Sequence, residues 1–138
     1  MQSKKLARTP LFRHPYPSAN SNSSRKVFIR GRQAPCRICW ASKGDSIADG
    51  AIVLSLQVEK RQLAPNGYLH AASVAACADS TAGYGCVAHL PAGASDFTTI
   101  ELKSNFLGTA LEGRIVAHAT LVHGGRTTQI WDATVKGP

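Results

Sequence analysis

The segment Ala71–Ala82, AASVAACADSTA, is built from the smallest side chains available, with one carboxylate set among them. An alanine-rich run of this kind favours a helix, and a helix this thin can lie close against its neighbours. It therefore suits the centre of a small fold, with strands from elsewhere in the chain packed around it. Asp79 is the exception to the pattern. A carboxylate is costly to bury without partners, so it is either a solvent-facing or hydrogen-bonded residue or a catalytic acid, base or nucleophile.

The rest of the chain supplies those strands. Ala51–Glu59 (AIVLSLQVE) places Ile52, Leu54, Leu56 and Val58 at alternate positions, the period of a half-buried strand. Pro65, Asn66 and Gly67 form a loop into the helix, and Gly83, Gly85, Pro91 and Gly93 predict its end and a connecting loop. Thr98–Phe106 reads as a second strand with Ile100, Leu102 and Phe106 inward. Arg114–His123 is a third, with Ile115, Ala117, Ala119 and Leu121 on one face; Gly124 and Gly125 turn the chain into a fourth over Thr127–Val135. One long helix with consecutive antiparallel strands is an α+β layout.

Charge divides the chain in two. The formal net charge is +8 over 138 residues, yet residues 1–44 hold ten Lys or Arg and no acid, whereas residues 45–138 hold six basic and eight acidic residues. The folded part, residues 45–138, is thus slightly acidic, which argues against a nucleic-acid-binding face on it. Residues 1–44 form a basic arm interrupted by Pro10, Pro15 and Pro17. A solvated, poorly ordered tail, an organellar transit segment and a nucleic-acid or membrane-surface arm are its alternatives. No apolar run approaches the roughly 20 residues that span a bilayer, so neither a membrane nor a nucleic acid is an expected partner of the domain. The expected location is cytoplasmic, or an organelle matrix if the arm is a transit segment.

The cysteines add little. Cys36-Arg-Ile-Cys39 is a single CxxC, which Cys86 and His89 complete only formally as a zinc set; no metal and no cofactor is expected. Cys77, inside the small-residue helix, reads as a buried hydrophobe.

His70 followed by small residues, Asp79 nine positions later, and then TTIELKSNFLGTALEGRIVAHATLVHGGRTTQIWDATV together resemble the hotdog-fold acyl-CoA thioesterases. The similarity is to the phenylacetate-degradation (PaaI-like) branch of the 4-hydroxybenzoyl-CoA thioesterase superfamily, over roughly Gly50–Val135. That branch shows His-Gly-Gly, an acid nine residues after the His, a strand ending Asn-Phe-Leu, and a His-x-Gly-Arg hairpin. The chain departs from it at His70-Ala71-Ala72 and at Ala64, where many members place Asn or Gln. The family's N-terminal helix is also not recognisable in residues 1–44. The resemblance implies a hotdog fold, with a central helix wrapped by an antiparallel sheet that continues across a dimer, often doubled to a tetramer. It also implies acyl-CoA as substrate.

The residues fit that chemistry. Thioester hydrolysis needs an oxyanion stabiliser and a group that activates water. The amide of Ala71 at the helix N-terminus suits the first role; Asp79, as base or nucleophile, suits the second. About 12 Å of helix separates the two, so one chain cannot bring both to one substrate, and an isologous dimer with two shared sites is expected. His70 and Asn66 are further candidates at the helix entrance, each with a structural alternative. Thr98, Thr99, Lys103 and Arg126 are candidates for substrate and coenzyme A contacts, the last two through phosphate oxygens. A non-catalytic acyl-CoA-binding module and an enoyl-CoA hydratase or dehydratase of the same fold are the alternatives.

Overall fold

A computed structural model describes residues 2–5 and 42–138 of the chain. Six strands form one sheet: β1 (Gln2–Lys5), β2 (Ser42–Ala48), β3 (Ala51–Gln57), β4 (Thr98–Leu102), β5 (Arg114–Gly124) and β6 (Thr128–Lys136). Their order is β2-β3-β5-β6-β1-β4, and every neighbouring pair is antiparallel. The one α-helix among the described residues, α1 (Ala71–Ala88), lies against β3, β5 and β6. The α+β, helix-on-antiparallel-sheet layout expected from the sequence is the one found.

Register explains the core. Ile52 faces Ala119, Leu54 faces Ala117 and Leu56 faces Ile115 across β3 and β5, while Ala117, Ala119 and Leu121 meet Val135, Ala133 and Trp131 across β6. Because side chains alternate along a strand, all of these share one face, and the helix covers it. Leu56, Val58, Leu69, Cys77, Ile115 and Ala117 pack around the first half of α1. Ile52, Ala82, Ala119 and Trp131 pack around the second half. Each fully buried leucine or isoleucine contributes roughly 1.5–3 kcal/mol relative to exposure.

Three expectations need correction. The helix does not stop at Ala82; it runs through Gly83 and Gly85 to Ala88. Glycine costs a helix only about 1 kcal/mol, and close packing on Trp131 outweighs that at residue 85. The strand expected over Thr98–Phe106 ends at Leu102, and residues 103–109 follow as exposed chain without regular structure. Ile100, Leu102 and Phe106, expected inward, are all exposed in the single chain.

Two strands lie at the ends of the basic segment. β2 spans residue 44, the expected boundary of the arm, and joins β3 through a two-residue turn, Asp49-Gly50, with Gly50 at φ +69°. β1 sits between β6 and β4. Residues 6–41, including Cys36 and Cys39, lie outside the described residues.

Candidate functional site

The entrance to α1 is a short, tightly bonded loop. Leu63 and Leu69 face each other in an isolated bridge, Ala64 donates to the Tyr68 carbonyl at 2.7 Å, and Gly67 donates to the Ala64 carbonyl at 2.8 Å. Asn66 belongs to this turn: its Oδ1 accepts from the Tyr68 amide at 3.2 Å. Leu69 N–H then bonds the Ala110 carbonyl and His70 N–H bonds the Gln62 carbonyl, which pins the start of the helix to both sides of the chain. Buried Ser73 adds a hydroxyl bond to the same Gln62 carbonyl at 3.2 Å.

The first turn of a helix leaves its amides without intrahelical partners, so their destinations can be followed one by one. His70 is the N-cap, and its Nδ1 accepts from the Ala72 amide at 3.0 Å. Ser73 N–H and Val74 N–H both go to the His70 carbonyl. The Ala71 amide is left with no acceptor among the described residues, at an exposed position. Capping by His70 thus singles out one donor, and the dipole of an 18-residue helix lies behind it.

Asp79 lies on the same helix, eight residues further on, so the roughly 12 Å separation holds in an unbroken α1. It is half-buried, and the Thr99 hydroxyl of β4 donates to its Oδ1 at 3.3 Å. That is long for an O–H···O bond. A β-bulge lies beside this contact. Between β1 and β4 the register steps from Ser3↔Glu101 to Lys4↔Thr99, leaving Ile100 as the extra residue, and a bulge re-aims the side chains beside it.

The remaining candidates stand apart. Thr98 opens β4, exposed. Lys103 follows the other end of that strand and pairs with Glu101 at 3.3 Å. Arg126 sits exposed in the β5–β6 hairpin, where Gly125 N–H closes the turn on the Thr128 carbonyl at 2.9 Å. Thr128 and Thr98 both register with Lys5, whereas Leu102 registers with Gln2. The hairpin therefore lies near the opposite end of β4 from Lys103, and one chain does not bring the two cations together. Asp79 and Thr99 are the candidates that it does bring into contact.

Sequence reasoning gave His89 no role beyond a formal metal ligand. It caps the end of α1, where Nε2 accepts from the Gly50 amide at 2.8 Å and Nδ1 donates to the Gly85 carbonyl at 2.8 Å. Its own carbonyl accepts from Gln129 Nε2 at 2.7 Å, and Gln129 Oε1 accepts from Trp131 Nε1 at 2.8 Å. With both ring nitrogens engaged by the backbone, His89 ties the β2–β3 turn, the helix end and β6 together. Because Gly83 and Gly85 placed the helix end too early, the sequence did not mark His89 as its cap; in space its ring meets Trp131 edge-on, centroids 5.4 Å apart.

The chain resembles known proteins. A "1,4-dihydroxy-2-naphthoyl-CoA hydrolase" of Listeria monocytogenes is 28% identical over 90 residues, 65% of this chain and 72% of that one. Two further curated relatives are matched over 58% and 64% of their own length. Among solved structures, a thioesterase from Staphylococcus aureus superposes with a TM-score of 0.64 at 29% identity, covering 69% of this chain and 78% of that one. A hypothetical thioesterase with coenzyme A from Streptococcus pneumoniae gives 0.62 at 23% identity, covering 69% and 74%. The PaaI protein of E. coli gives 0.61 at 21%, covering 68% and 66%. These last two likenesses concern the fold. The family model of the thioesterase superfamily matches residues 66–137, from the entrance loop of α1 through β6 and over half of the sequence. The chain belongs to the thioesterase superfamily, with the hotdog fold.

Proposed function

We propose that the protein hydrolyses acyl-CoA thioesters to free acid and coenzyme A at sites shared between two chains. The observation that carries this is the state of the first helical turn: among the described residues every first-turn amide but that of Ala71 has an acceptor, leaving one donor at an exposed position. In the shared site this amide polarises the thioester carbonyl, while Asp79 of the second chain either takes a proton from attacking water or attacks the carbonyl itself. In the first case the tetrahedral adduct collapses with loss of the coenzyme A thiolate. In the second the carbonyl–sulfur bond breaks, the coenzyme A thiolate leaves and a mixed anhydride forms on Asp79, which water then cleaves to the acid and the free carboxylate. Thr99 orients the carboxylate.

Distance and surface support the pairing of chains. The donor and the carboxylate are about two turns apart on one helix. Helices running antiparallel across a two-fold axis would set the start of one beside the middle of the other. β4 is one of the two edges of the sheet, and Ile100, Leu102, Phe106 and Leu107 are exposed along it and just beyond it. An uncovered apolar edge of this kind invites a second strand. The substrate class is supported by relatives described as a coenzyme A thioester hydrolase and as a thioesterase with coenzyme A. Lys103 and Arg126, at opposite ends of β4, would contribute to coenzyme A binding from different chains, or only one of them would. A coenzyme A substrate fits a cytoplasmic location.

The test is thiol release by the purified protein across short, long and aromatic acyl-CoAs, alongside Asp79→Asn. Release that depends on Asp79 supports hydrolysis. Tight binding without release would show a non-catalytic module, and hydration of enoyl-CoA without release would show a hydratase.

A further inference from the structure

Among the described residues, the strand β4 reaches the rest of the sheet only through β1. It is the last strand in the order β2-β3-β5-β6-β1-β4, and its paired neighbour is the four-residue Gln2–Lys5. That short segment pairs on both sides: Gln2, Ser3, Lys4 and Lys5 register with Trp131, Ile130, Gln129 and Thr128 of β6, and with Leu102, Glu101, Thr99 and Thr98 of β4. The helix gives β4 little independent support, because no residue of β4 is buried against it. The Thr99–Asp79 hydrogen bond joins the two.

We propose that β1 is a positioning strand for the candidate site: by holding β4 in a bulged register, it turns Thr99 onto Asp79. The bulge is the second observation behind this. Lys4 and Lys5 pair with Thr99 and Thr98, and Gln2 and Ser3 pair with Leu102 and Glu101, so Ile100 is looped out between them. A strand interior on both edges fixes register through two ladders at once, and a bulge sets the direction of the side chain next to it. Remove the four residues and β4 loses the ladder that connects it to β6. Thr99 then loses the register that aims it. The role given to Asp79 rests on the proposed thioesterase activity; the role given to β1 in holding β4 does not, and the two are tested by different readouts.

The experiment compares the full chain with a variant lacking Gln2–Lys5 and with Ser3→Pro, which removes an amide from an interior strand. Backbone hydrogen exchange is read by element. Exchange over residues 98–102 should rise about tenfold or more in both variants, while β3, β5 and α1 stay within about threefold, the pattern of local rather than global opening. Turnover should fall several-fold with little change in KM. A synthetic peptide of residues 1–8, added in excess, should restore both protection and turnover to the deletion variant, and a scrambled peptide should restore neither.

Unchanged exchange across 98–102 in both variants overturns the proposal, whatever the activity. Should the deletion variant fail to fold, Ser3→Pro and deletion of Ile100 in the full chain decide the point. Once Ile100 is deleted, Thr99→Val should cause no further loss of turnover, because coupled residues are non-additive. Full additivity of those two changes also overturns the proposal. If the intact protein releases no thiol from any acyl-CoA, the hydrolase reading fails and the exchange result still decides the role of β1.

Discussion

The six-membered ring of Trp131 lies 2.6 Å from where a Cβ on Gly85 would stand, so helix and sheet meet at this distance only because residue 85 is glycine. Trp131 is fully buried, and its Nε1 is bonded to Gln129, which leaves the ring little room to retreat. Alanine would gain about 1 kcal/mol in helix propensity but would overpack the core, at a cost of roughly 1–3 kcal/mol. Gly85→Ala should therefore lower the melting temperature by several degrees. A stability unchanged or raised in a thermal melt would mean that propensity outweighs packing here.

Asp79→Asn keeps size and hydrogen-bonding capacity while removing basicity. Thiol release should fall on the order of 10²–10⁴-fold, the span of a positioned acid–base group, with acyl-CoA binding little changed. A structural aspartate would show the opposite, a lower melting temperature with near-normal turnover. Thr99→Val should lower turnover several-fold and Thr99→Ser should restore most of it, since the hydroxyl alone makes the contact.

Ala71→Pro tests the donor. Proline is well tolerated at the first helical position, and His70 already has the extended backbone that a following proline requires, φ −65° and ψ 133°. The change removes one amide hydrogen and little else, so stability should hold while turnover falls about 10²–10³-fold. Mixing this variant with Asp79→Asn then probes the shared site. In a mixed dimer one site carries both defects and the other carries none. With random exchange about a quarter of wild-type activity should return. No recovery after verified subunit exchange would place donor and carboxylate in the same chain.

His89→Ala removes the acceptor for the Gly50 amide and the donor to the Gly85 carbonyl. Stability measured by urea unfolding should drop by roughly 1–3 kcal/mol, the usual cost of stranding partly buried partners. Turnover in the folded fraction should stay within about twofold, because ten residues of helix, roughly 15 Å, separate His89 from Asp79. A large loss of turnover at full stability would give His89 a part in the chemistry.

The alternation of Ile52, Leu54 and Leu56, and of Ile115, Ala117 and Ala119, was enough to place β3 and β5 and the face that α1 covers. Asp79 and Ala71 stood out for the same reason, as a lone carboxylate and the first amide of a legible helix. The end of that helix was not legible, because Gly85 marks a stop locally and a packing contact in three dimensions. β2 carries no apolar alternation in SKGDSIA, although the Asp49-Gly50 pair after it is a hairpin signal. The pairing of β1 could not be read from four polar residues at all. Nor could the exposure of Ile100, Leu102 and Phe106: their spacing announces burial, and the single chain does not supply the surface that buries them.

The thinness of α1 has a consequence for how such a protein diversifies. Ala75 and Ala76 are half-buried one turn before Asp79, on its side of the helix, and alanine can only be replaced by something larger or by glycine. Any change to a bigger side chain there would shorten whatever space adjoins the carboxylate, leaving the Ala71 amide and Thr99 untouched. A helix made of methyl groups thus separates the question of which molecule fits from the question of how it is cut. The lineage that carries it can revise the first by single substitutions while conserving the second.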